Sequence, residues 1–307
     1  MYHYVRDISK SKYPEIKALD LNEFKEQILF LKKNYTLIKV DDVIGAYENN
    51  CQLPKNAALL TFDDGYKDHF INVFPILNQN NIQGCFYPPA SVIENKSVLD
   101  VNKIHFILAS VKDKTTLVEQ IFNQLTFYKK RYNLKNNLYY FNKLAKANRF
   151  DTKEVIFIKR ILQLELPEDL RYKITDFLFK KHVTSDEKSF SKTLYMDIND
   201  MKEMIRAGMH FGSHGFGHYW LASLSRSKQE IDINKSIQFL KKIGADSDNW
   251  TMCYPYGSFN GETISILQNN NCKLAFTTKV DIAQININDR LEIPRLDTND
   301  LPKDRYG

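Results

Sequence analysis

The sequence predicts an α/β fold with parallel strands: a barrel-like domain interrupted by a mostly helical insertion. Short apolar segments alternate with segments of helical periodicity along most of the 307 residues, as βα units do. One apolar run, residues 57–62, is continuous, which is typical of a strand covered on both faces. The alternation fails between residues 102 and 191, where helical patterns follow one another. We therefore expect one domain, residues 1–307, with a helical insertion at about 102–191.

Apolar runs and helical spacing place the elements in order along the chain. The segments expected to be strands are residues 2–5, 37–40, 57–62, 82–87, 209–212, 250–254, 273–278 and 291–294. The helices expected between them are residues 21–33, 41–48, 68–80, 201–206, 223–240 and 263–269. Pro75 is expected to kink or break the third of these helices. The helices predicted within the insertion are residues 117–128, 138–147, 152–164 and 168–181.

The composition narrows the class of protein. With 43% hydrophobic residues, the chain can bury a sizeable core. No apolar run approaches the roughly 20 residues that span a bilayer. The first residues show no basic and then apolar leader, so a cytoplasmic location is expected. The four cysteines have no CxxC spacing, which favours reduced thiols over a zinc ribbon.

The net charge of +6 is unevenly placed. Residues 112–187 contain sixteen Lys and Arg against ten Asp and Glu, a surplus of six that equals the charge of the whole chain. A solvated helical face explains such a surplus, and so does a surface for a phosphate-bearing substrate or an acidic membrane. The aromatic residues of this segment are spaced as in a helical core, so nucleic acid is not expected as a partner.

Two motifs carry the chemistry. Thr61-Phe62-Asp63-Asp64-Gly65 ends one apolar strand, and Ser213-His214-Gly215-Phe216-Gly217-His218 follows another. One Asp and two His form the ligand set of a catalytic divalent-metal site that keeps a position open for water. Adjacent residues at a strand end point in different directions. One carboxylate can therefore bind metal while the other accepts a proton.

These motifs resemble those of the polysaccharide deacetylase family, the NodB-homology domain of carbohydrate esterase family 4. The two motifs match the family's first two in order, and Tyr254-Pro255-Tyr256-Gly257 resembles its third. The resemblance covers roughly residues 1–95 and 195–300. It implies a distorted (β/α) barrel of the NodB-homology type, with the site at the carboxyl ends of the strands. Barrel enzymes in general place their chemistry at this edge.

The resemblance also implies a role for each residue of the motifs. Asp64, His214 and His218 would be the metal ligands, and Asp63 would be the general base. Tyr256 would line the site, with its backbone N–H helping to hold the oxyanion. The cofactor implied is one divalent ion, in the first place Zn²⁺, although Co²⁺, Ni²⁺, Mn²⁺ and Fe²⁺ accept the same ligands.

Two departures from the family pattern concern the proton-transfer residues. The third motif usually carries an Arg two residues before its Pro, and here Cys253 stands in that place. We expect Arg295, from another strand, to supply the missing charge. The family's late Leu-x-x-His motif, which holds the general acid, is absent from residue 291 onward. His3, His69 and His105 are the candidates for that acid, and His3 is favoured because it ends the first strand.

The expected function is therefore metal-dependent removal of an N-acyl group, acetyl before formyl, from an N-acylated amino sugar. Without a leader, a nucleotide- or lipid-linked intermediate of surface-glycan assembly is expected as substrate, with peripheral membrane contact through the basic insertion as a further hypothesis. One alternative is hydrolysis of another C–N bond, as in a deformylase or a cyclic amide hydrolase. A second alternative is a catalytically inactive protein that binds a glycan or a partner.

Overall fold

The computed structural model describes residues 1–148, 151–285 and 289–301 of the chain. Within these ranges no helix is both long and apolar enough to cross a lipid bilayer. The chain divides into two compact units: Met1–Ile8, Ala18–Ser97 and Ser191–Gly307 form the first, and Ser9–Lys17 and Val98–Phe190 form the second. The second unit contains most of the predicted insertion. That the whole chain acts as one catalytic domain stays a prediction.

The first unit is built on short strands. They are β1 (Val5–Arg6), β2 (Leu19–Asp20), β3 (Thr36–Leu37), β4 (Ala57–Ala58), β5 (Leu60–Asp63), β6 (Gly84–Tyr87), β7 (His210–Phe211), β8 (Thr251–Cys253) and β9 (Leu274–Phe276). Pairing is parallel between β1 and β2, β3 and β4, β5 and β6, β6 and β7, and β8 and β9. Single parallel bridges also join Tyr2 to Phe62 and Ser213 to Met252. The predicted α/β fold with parallel strands is thus present, whereas closure into a barrel stays a prediction.

Helices connect the strands of the first unit and make up most of the second. They are α1 (Leu21–Asn34), α2 (Val40–Asn49), α3 (Phe74–Gln79), α4 (Ala90–Asn95), α5 (Asp100–Ser110), α6 (Lys114–Tyr132), α7 (Asn137–Leu144), α8 (Lys153–Arg160), α9 (Glu168–His182), α10 (Glu187–Leu194), α11 (Ile198–Arg206), α12 (Arg226–Ile243) and α13 (Gly261–Asn269). Their ends follow local chemistry. The Asp20 side chain caps α1 by accepting the Asn22 N–H, and Gly244 ends α12 with φ at 78°.

A layer of aromatic rings crosses the strands just below the end of β5. Phe62 is in register with Phe86, and Phe86 with Phe211, while Tyr2 bridges to Phe62. The rings stack in that order, with centroids 5.0, 4.8 and 5.5 Å apart from Tyr2 to Phe211. Each aromatic pair of this kind stabilises a fold by about 0.5–1.5 kcal/mol beyond its buried area. The layer fixes the register of the strands and therefore the position of Asp63, the next residue of β5.

The second unit buries a lysine in its helical core. Lys103 on α5 is 1% exposed, and its Nζ lies 3.0 Å from Glu187 and 3.4 Å from Asp176 on α9. A buried cation needs such partners because burial otherwise disfavours its charged form. The buried residues of α6 are aliphatic, among them Leu117 and Leu125. The helix predicted for residues 117–128 is therefore present as part of α6, and its aliphatic residues are buried.

Several predicted strands are shorter than expected, and residues 37–40 show why. Residues 37–40 were expected to be extended, but the strand ends at Leu37 and α2 begins at Val40. The cause is Asp42, whose carboxylate accepts the backbone N–H of Lys39 at 2.8 Å and closes the first turn. Pro75 lies in the first turn of α3, after a wide helical turn at His69–Val73, so the predicted helix is interrupted as expected.

Candidate active site

The two adjacent aspartates leave β5 in different directions. Asp63 is the last residue of the strand, and its side chain lies on the same face as that of Thr61, two residues earlier. Asp64 has φ at 70° and Gly65 has φ at 66°, so the chain turns sharply after Asp63. Gly65 is needed in this turn because a Cβ there would lie 2.6 Å from the Cβ of Pro88. The turn therefore separates the two carboxylates.

Asp63 forms a buried two-point ion pair with Arg295. Nη1 of Arg295 donates to Oδ1 of Asp63 at 2.9 Å, and Nη2 donates to Oδ2 at 2.8 Å. The guanidinium also donates to the Thr277 carbonyl at 2.9 Å and to the Thr61 hydroxyl at 3.1 Å. Its Nη1 lies 3.1 Å from Sγ of Cys253. Arg295 thus lies beside the position where the family usually carries its motif arginine.

This pairing decides the ionisation of Asp63. Burial on its own would raise the pKa of the carboxyl, but the Arg295 guanidinium outweighs that effect and holds the pKa well below its usual range. Asp63 is therefore ionised at neutral pH although it is only 2% exposed. The neighbouring Cys253 thiol is kept neutral, because burial raises its pKa well above the ordinary value.

Asp64, His214 and His218 converge on one point. Oδ1 of Asp64 lies 3.5 Å from Nε2 of His214 and 3.3 Å from Nε2 of His218. One donor atom from each residue lies within 4.8 Å of the other two, and all three side chains are buried. A tetrahedral ion with bonds of about 2.0–2.1 Å places its donor atoms about 3.3–3.4 Å apart. The spacing of the three donors therefore fits one small divalent ion.

In His214 and Asp64 the other polar atom of the side chain is already bonded, which leaves the converging atoms for a metal. Nδ1 of His214 donates to the Cys253 carbonyl at 2.7 Å, so Nε2 is the nitrogen that carries the lone pair. The Tyr66 hydroxyl donates to Oδ2 of Asp64, which turns Oδ1 toward the histidines. Partners of this kind orient ligands in metal sites generally. The donor set and its surroundings both fit a catalytic metal with an open position.

Asp232 holds the loop that carries the two histidines. This residue of α12 is 4% exposed, and its Oδ2 and Oδ1 accept the backbone N–H groups of Phe216 at 2.9 Å and Gly217 at 2.7 Å. Gly215 has φ at 70°, and a Cβ there would lie 2.8 Å from Oδ2 of Asp232. The glycines between the histidines thus let the backbone close around a buried carboxylate, which fixes the separation of His214 and His218.

Asn in place of Asp232 is expected to weaken metal binding about 10- to 100-fold, the usual cost of losing a residue that orients ligands. The amide keeps one acceptor but turns its NH₂ group toward a backbone N–H, so one of the two loop bonds is lost. Calorimetric titration of metal into apo-protein measures the change. Glu230→Gln on the same helix, whose side chain is 44% exposed, is the matched control. Equal affinities in the two variants would contradict this role for Asp232.

The histidine candidates for the general acid differ in their surroundings. His3 is partly exposed, and it directly follows Tyr2, whose carbonyl accepts the backbone N–H of Asp63 at 2.9 Å. His69 is fully buried, and burial lowers its pKa to about 4. Its Nε2 donates to the His3 carbonyl at 2.8 Å, so His69 supports the backbone of His3. His105 belongs to α5 in the second unit.

Tyr256 lies against one of the candidate ligands. Its ring meets the His218 ring edge to face, with centroids 4.7 Å apart. The Tyr256 ring also stacks on the indole of Trp220, with ring centroids 4.4 Å apart and an interplanar angle of 4°. Tyr256 has φ at 57°, in the left-handed region that an aromatic residue rarely adopts. The structure therefore places Tyr256 at the site, in a strained backbone conformation.

Known proteins with similar sequence and fold point to one family. A family model described as "Polysaccharide deacetylase" matches residues 150–275, a range that contains both histidines and Tyr256. The chain is 28% identical over 217 residues to the poly-beta-1,6-N-acetyl-D-glucosamine N-deacetylase of Staphylococcus aureus (strain MRSA252), a match that covers 64% of this chain and 72% of that protein. Asp63 and Asp64 lie outside the range of the family model.

Two solved structures share the fold. The Streptococcus pyogenes deacetylase PplD in complex with acetate has a TM-score of 0.59 at 18% identity, covering 96% of this chain and 89% of that one. IcaB from Ammonifex degensii has a TM-score of 0.56 at 17% identity, covering 97% and 91%. The protein therefore has an α/β fold similar to that of deacetylases. The resemblance to the polysaccharide deacetylase family is confirmed by the family model and by the similarity in sequence to an N-deacetylase.

Sequence reasoning missed three residues of this region. Asp232 lies inside a helix, and an Asp on a buried helical face was the one available signal. Tyr66 directly follows the first motif, and only its contact with Asp64 reveals its part. Trp220 follows His218 by two residues, yet no motif links it to Tyr256. The contacts of Asp232 and Trp220 join segments that are separate in the sequence, and the contact of Tyr66 with Asp64 depends on the turn between them, so a local pattern does not reveal them.

Proposed function

We propose that this protein is a metal-dependent N-deacetylase that hydrolyses the N-acetyl group of an amino sugar. The observation that carries the proposal is the pairing of a three-donor centre with a separate ionised carboxylate. Asp64, His214 and His218 supply the donors. Asp63, the residue before Asp64, is held by its ion pair with Arg295. The fold shared with deacetylases and the likeness to a poly-beta-1,6-N-acetyl-D-glucosamine N-deacetylase support the same activity.

The residues of the chain divide the work. A divalent ion held by the three donors would polarise the acyl carbonyl and activate the attacking water, and Zn²⁺ is the ion we propose first. Asp63 accepts a proton from that water while the oxygen of the water bonds to the acyl carbon. The C–N bond then breaks, and His3 gives the leaving nitrogen a proton. The products are acetate and a free amine, and Tyr256 offers a backbone N–H toward the oxyanion.

The decisive experiment is release of acetate and free amine from N-acetylated glucosamine oligomers. The protein is stripped with a chelator and reloaded in parallel with Zn²⁺, Co²⁺, Ni²⁺, Mn²⁺ or Fe²⁺. Activity that requires reloading supports the proposal. Release of formate from an N-formyl sugar, or opening of a cyclic amide, without any acetate release would replace it by hydrolysis of another C–N bond. Metal binding with no hydrolysis of any of these substrates would support an inactive binding protein.

The attachment of the sugar is a separate part of the proposal. The named relative favours a polymer of N-acetylglucosamine. The surplus of six positive charges in residues 112–187 instead favours a nucleotide- or lipid-linked sugar. Parallel assays on a β-1,6-linked oligomer and on a nucleotide-linked N-acetyl sugar separate the two. Faster turnover of the oligomer would reject the linked intermediate. Membrane contact through the basic helices stays a prediction.

Ala in place of His3 is expected to lower turnover of the amide about 10²- to 10⁴-fold, the usual worth of a general acid. An aryl acetate ester, whose leaving group needs no proton, should be hydrolysed by the variant with a much smaller loss. His105→Ala is the control. Equal losses on amide and ester would show that His3 is structural.

A further inference from the structure

A second aromatic residue extends the site beyond its candidate metal ligands. Trp220 lies two residues after His218 and stacks on Tyr256, which itself meets the ring of His218. The three rings thus form a continuous row that leads away from the metal donors. Trp220 and Tyr256 are each partly exposed, in contrast to the buried aromatic layer of the core. We call this pair, Trp220 and Tyr256, the aromatic platform.

Backbone strain is concentrated along this row. His218 has φ at 56° and Tyr256 has φ at 57°, both in the left-handed region. A residue other than glycine is strained in such a conformation and stays there only when the surrounding structure holds it. Gly257 continues the turn with φ at 67°, and a Cβ there would lie 2.1 Å from the hydroxyl of Thr278. The fold holds Tyr256 in this conformation, and the result is a ring fixed between His218 and Trp220.

The other tryptophan shows what a purely structural indole looks like in this protein. Trp250 is 1% exposed, and its Nε1 donates to the Asn270 carbonyl at 2.8 Å. Trp220 is instead only partly buried, on a loop next to the candidate ligands, and its ring lies flat on Tyr256. A rigid, amphipathic ring at the edge of a site presents apolar area at low entropic cost. The apolar face of a pyranose ring is a ligand that such a surface suits.

We propose that the aromatic platform is a subsite for the sugar ring next to the one that loses its acetyl group. This inference rests on the proposed function and deepens it: Trp220 becomes the residue that makes the site favour an oligomer of pyranose sugars over a single sugar. Contacts with a neighbouring ring lie away from the reacting amide, and such remote binding energy is used to position the reacting group. The platform therefore sets a preference for chain length.

The kinetic test compares Trp220→Ala with the unchanged protein on N-acetylglucosamine and on its tetramer. The ratio of kcat/KM for tetramer over monomer is expected to fall about tenfold, which corresponds to about 1.4 kcal/mol. Trp220→Phe should keep most of that ratio, because a ring still lies on Tyr256. Tyr35→Ala, an exposed tyrosine after α1, is the control and should leave the ratio unchanged. An unchanged ratio in Trp220→Ala would overturn the subsite.

A binding test separates failure of the subsite from failure of the proposed function. The chain has two tryptophans, so Trp220 is a fluorescent reporter beside the buried Trp250. The tetramer is titrated into the Asp63→Asn protein, and the fluorescence change is expected to disappear in Asp63→Asn/Trp220→Phe while calorimetry still detects binding. A change that persists without Trp220, or no binding in either protein, overturns the platform. Absence of acetate release from every sugar, with this signal intact, rejects only the deacetylase.

Discussion

Asn in place of Asp63 is expected to cut turnover about 10²- to 10⁴-fold and to leave the metal in place, whereas Ala in place of Asp64 is expected to remove both. The two residues are adjacent in the chain, but the turn at φ 70° sends their carboxylates to different partners. Both carboxylate oxygens of Asp63 accept hydrogen bonds from the Arg295 guanidinium, while Oδ1 of Asp64 faces both histidines. Loss of one donor of three leaves two imidazoles, which hold a divalent ion far less firmly.

Elemental analysis of the purified variants, beside acetate release, measures this division. The expected pattern is about one divalent ion per chain in the unchanged protein and in Asp63→Asn, and none in Asp64→Ala. Asp41→Asn, on the exposed first turn of α2, controls for the loss of a carboxylate as such. Metal loss in Asp63→Asn would show that both aspartates bind the ion. Absence of metal from all these proteins after reconstitution would favour the inactive binding protein.

The ends of buried strands were readable from the sequence because their patterns are local. The apolar run before Asp63 predicted β5. The two motifs at strand ends predicted that one aspartate meets two histidines, and the family resemblance assigned that place to Asp64. Parallel strands bring their carboxyl ends to one edge, so side chains far apart in sequence become neighbours there. Strand length was less readable. Residues 291–294 were expected to be a strand, yet the described pairing there is one bridge from Ile293 to Phe276.

The residues that support the site could not be predicted from the sequence, because each acts through a contact that forms only in the folded chain. Asp232 reads as an ordinary helical residue until its helix is placed beside the histidine loop. Tyr66 reads as core, and its ring is buried, while its hydroxyl orients Asp64. Arg295 is the instructive exception. Cys253 stands where the family's third motif usually has an arginine, which suggested that another segment of the chain supplies the charge. The structure brings Arg295 to that place.

Ala in place of Arg295 is expected to have the largest effect on stability and a large effect on turnover. Removing one partner of a buried ion pair usually costs about 3–5 kcal/mol, because the other charge stays buried without compensation. Arg295 is 6% exposed and Asp63 is 2% exposed, so solvent does not replace the lost bonds. Without the guanidinium, burial raises the pKa of Asp63, and a protonated carboxyl cannot accept a proton. Metal content should stay near that of the unchanged protein.

Denaturant unfolding and kinetics of a double-mutant cycle measure the pair itself. Asp63→Asn/Arg295→Ala should be more stable than the sum of the single changes predicts, because the uncompensated charge is absent from the double variant. Additive losses would show that Arg295 stabilises the fold through its bonds to Thr277 and Thr61 instead. Equal turnover in Arg295→Ala and the unchanged protein would remove the arginine from the mechanism.

Moving the arginine tests whether its charge or its strand matters. Sγ of Cys253 lies 3.1 Å from Nη1 of Arg295. The side chain of an arginine substituted at position 253 would therefore begin beside the space that the Arg295 guanidinium fills. Cys253→Arg/Arg295→Ala is therefore expected to recover part of the turnover and stability that Arg295→Ala loses, with Cys253→Ala/Arg295→Ala as the control that recovers none. Both double variants lack Arg295, so only the new guanidinium distinguishes them. Recovery in neither would mean that the bonds of Arg295 to Thr277 and Thr61, and not its charge alone, hold Asp63 ready for catalysis.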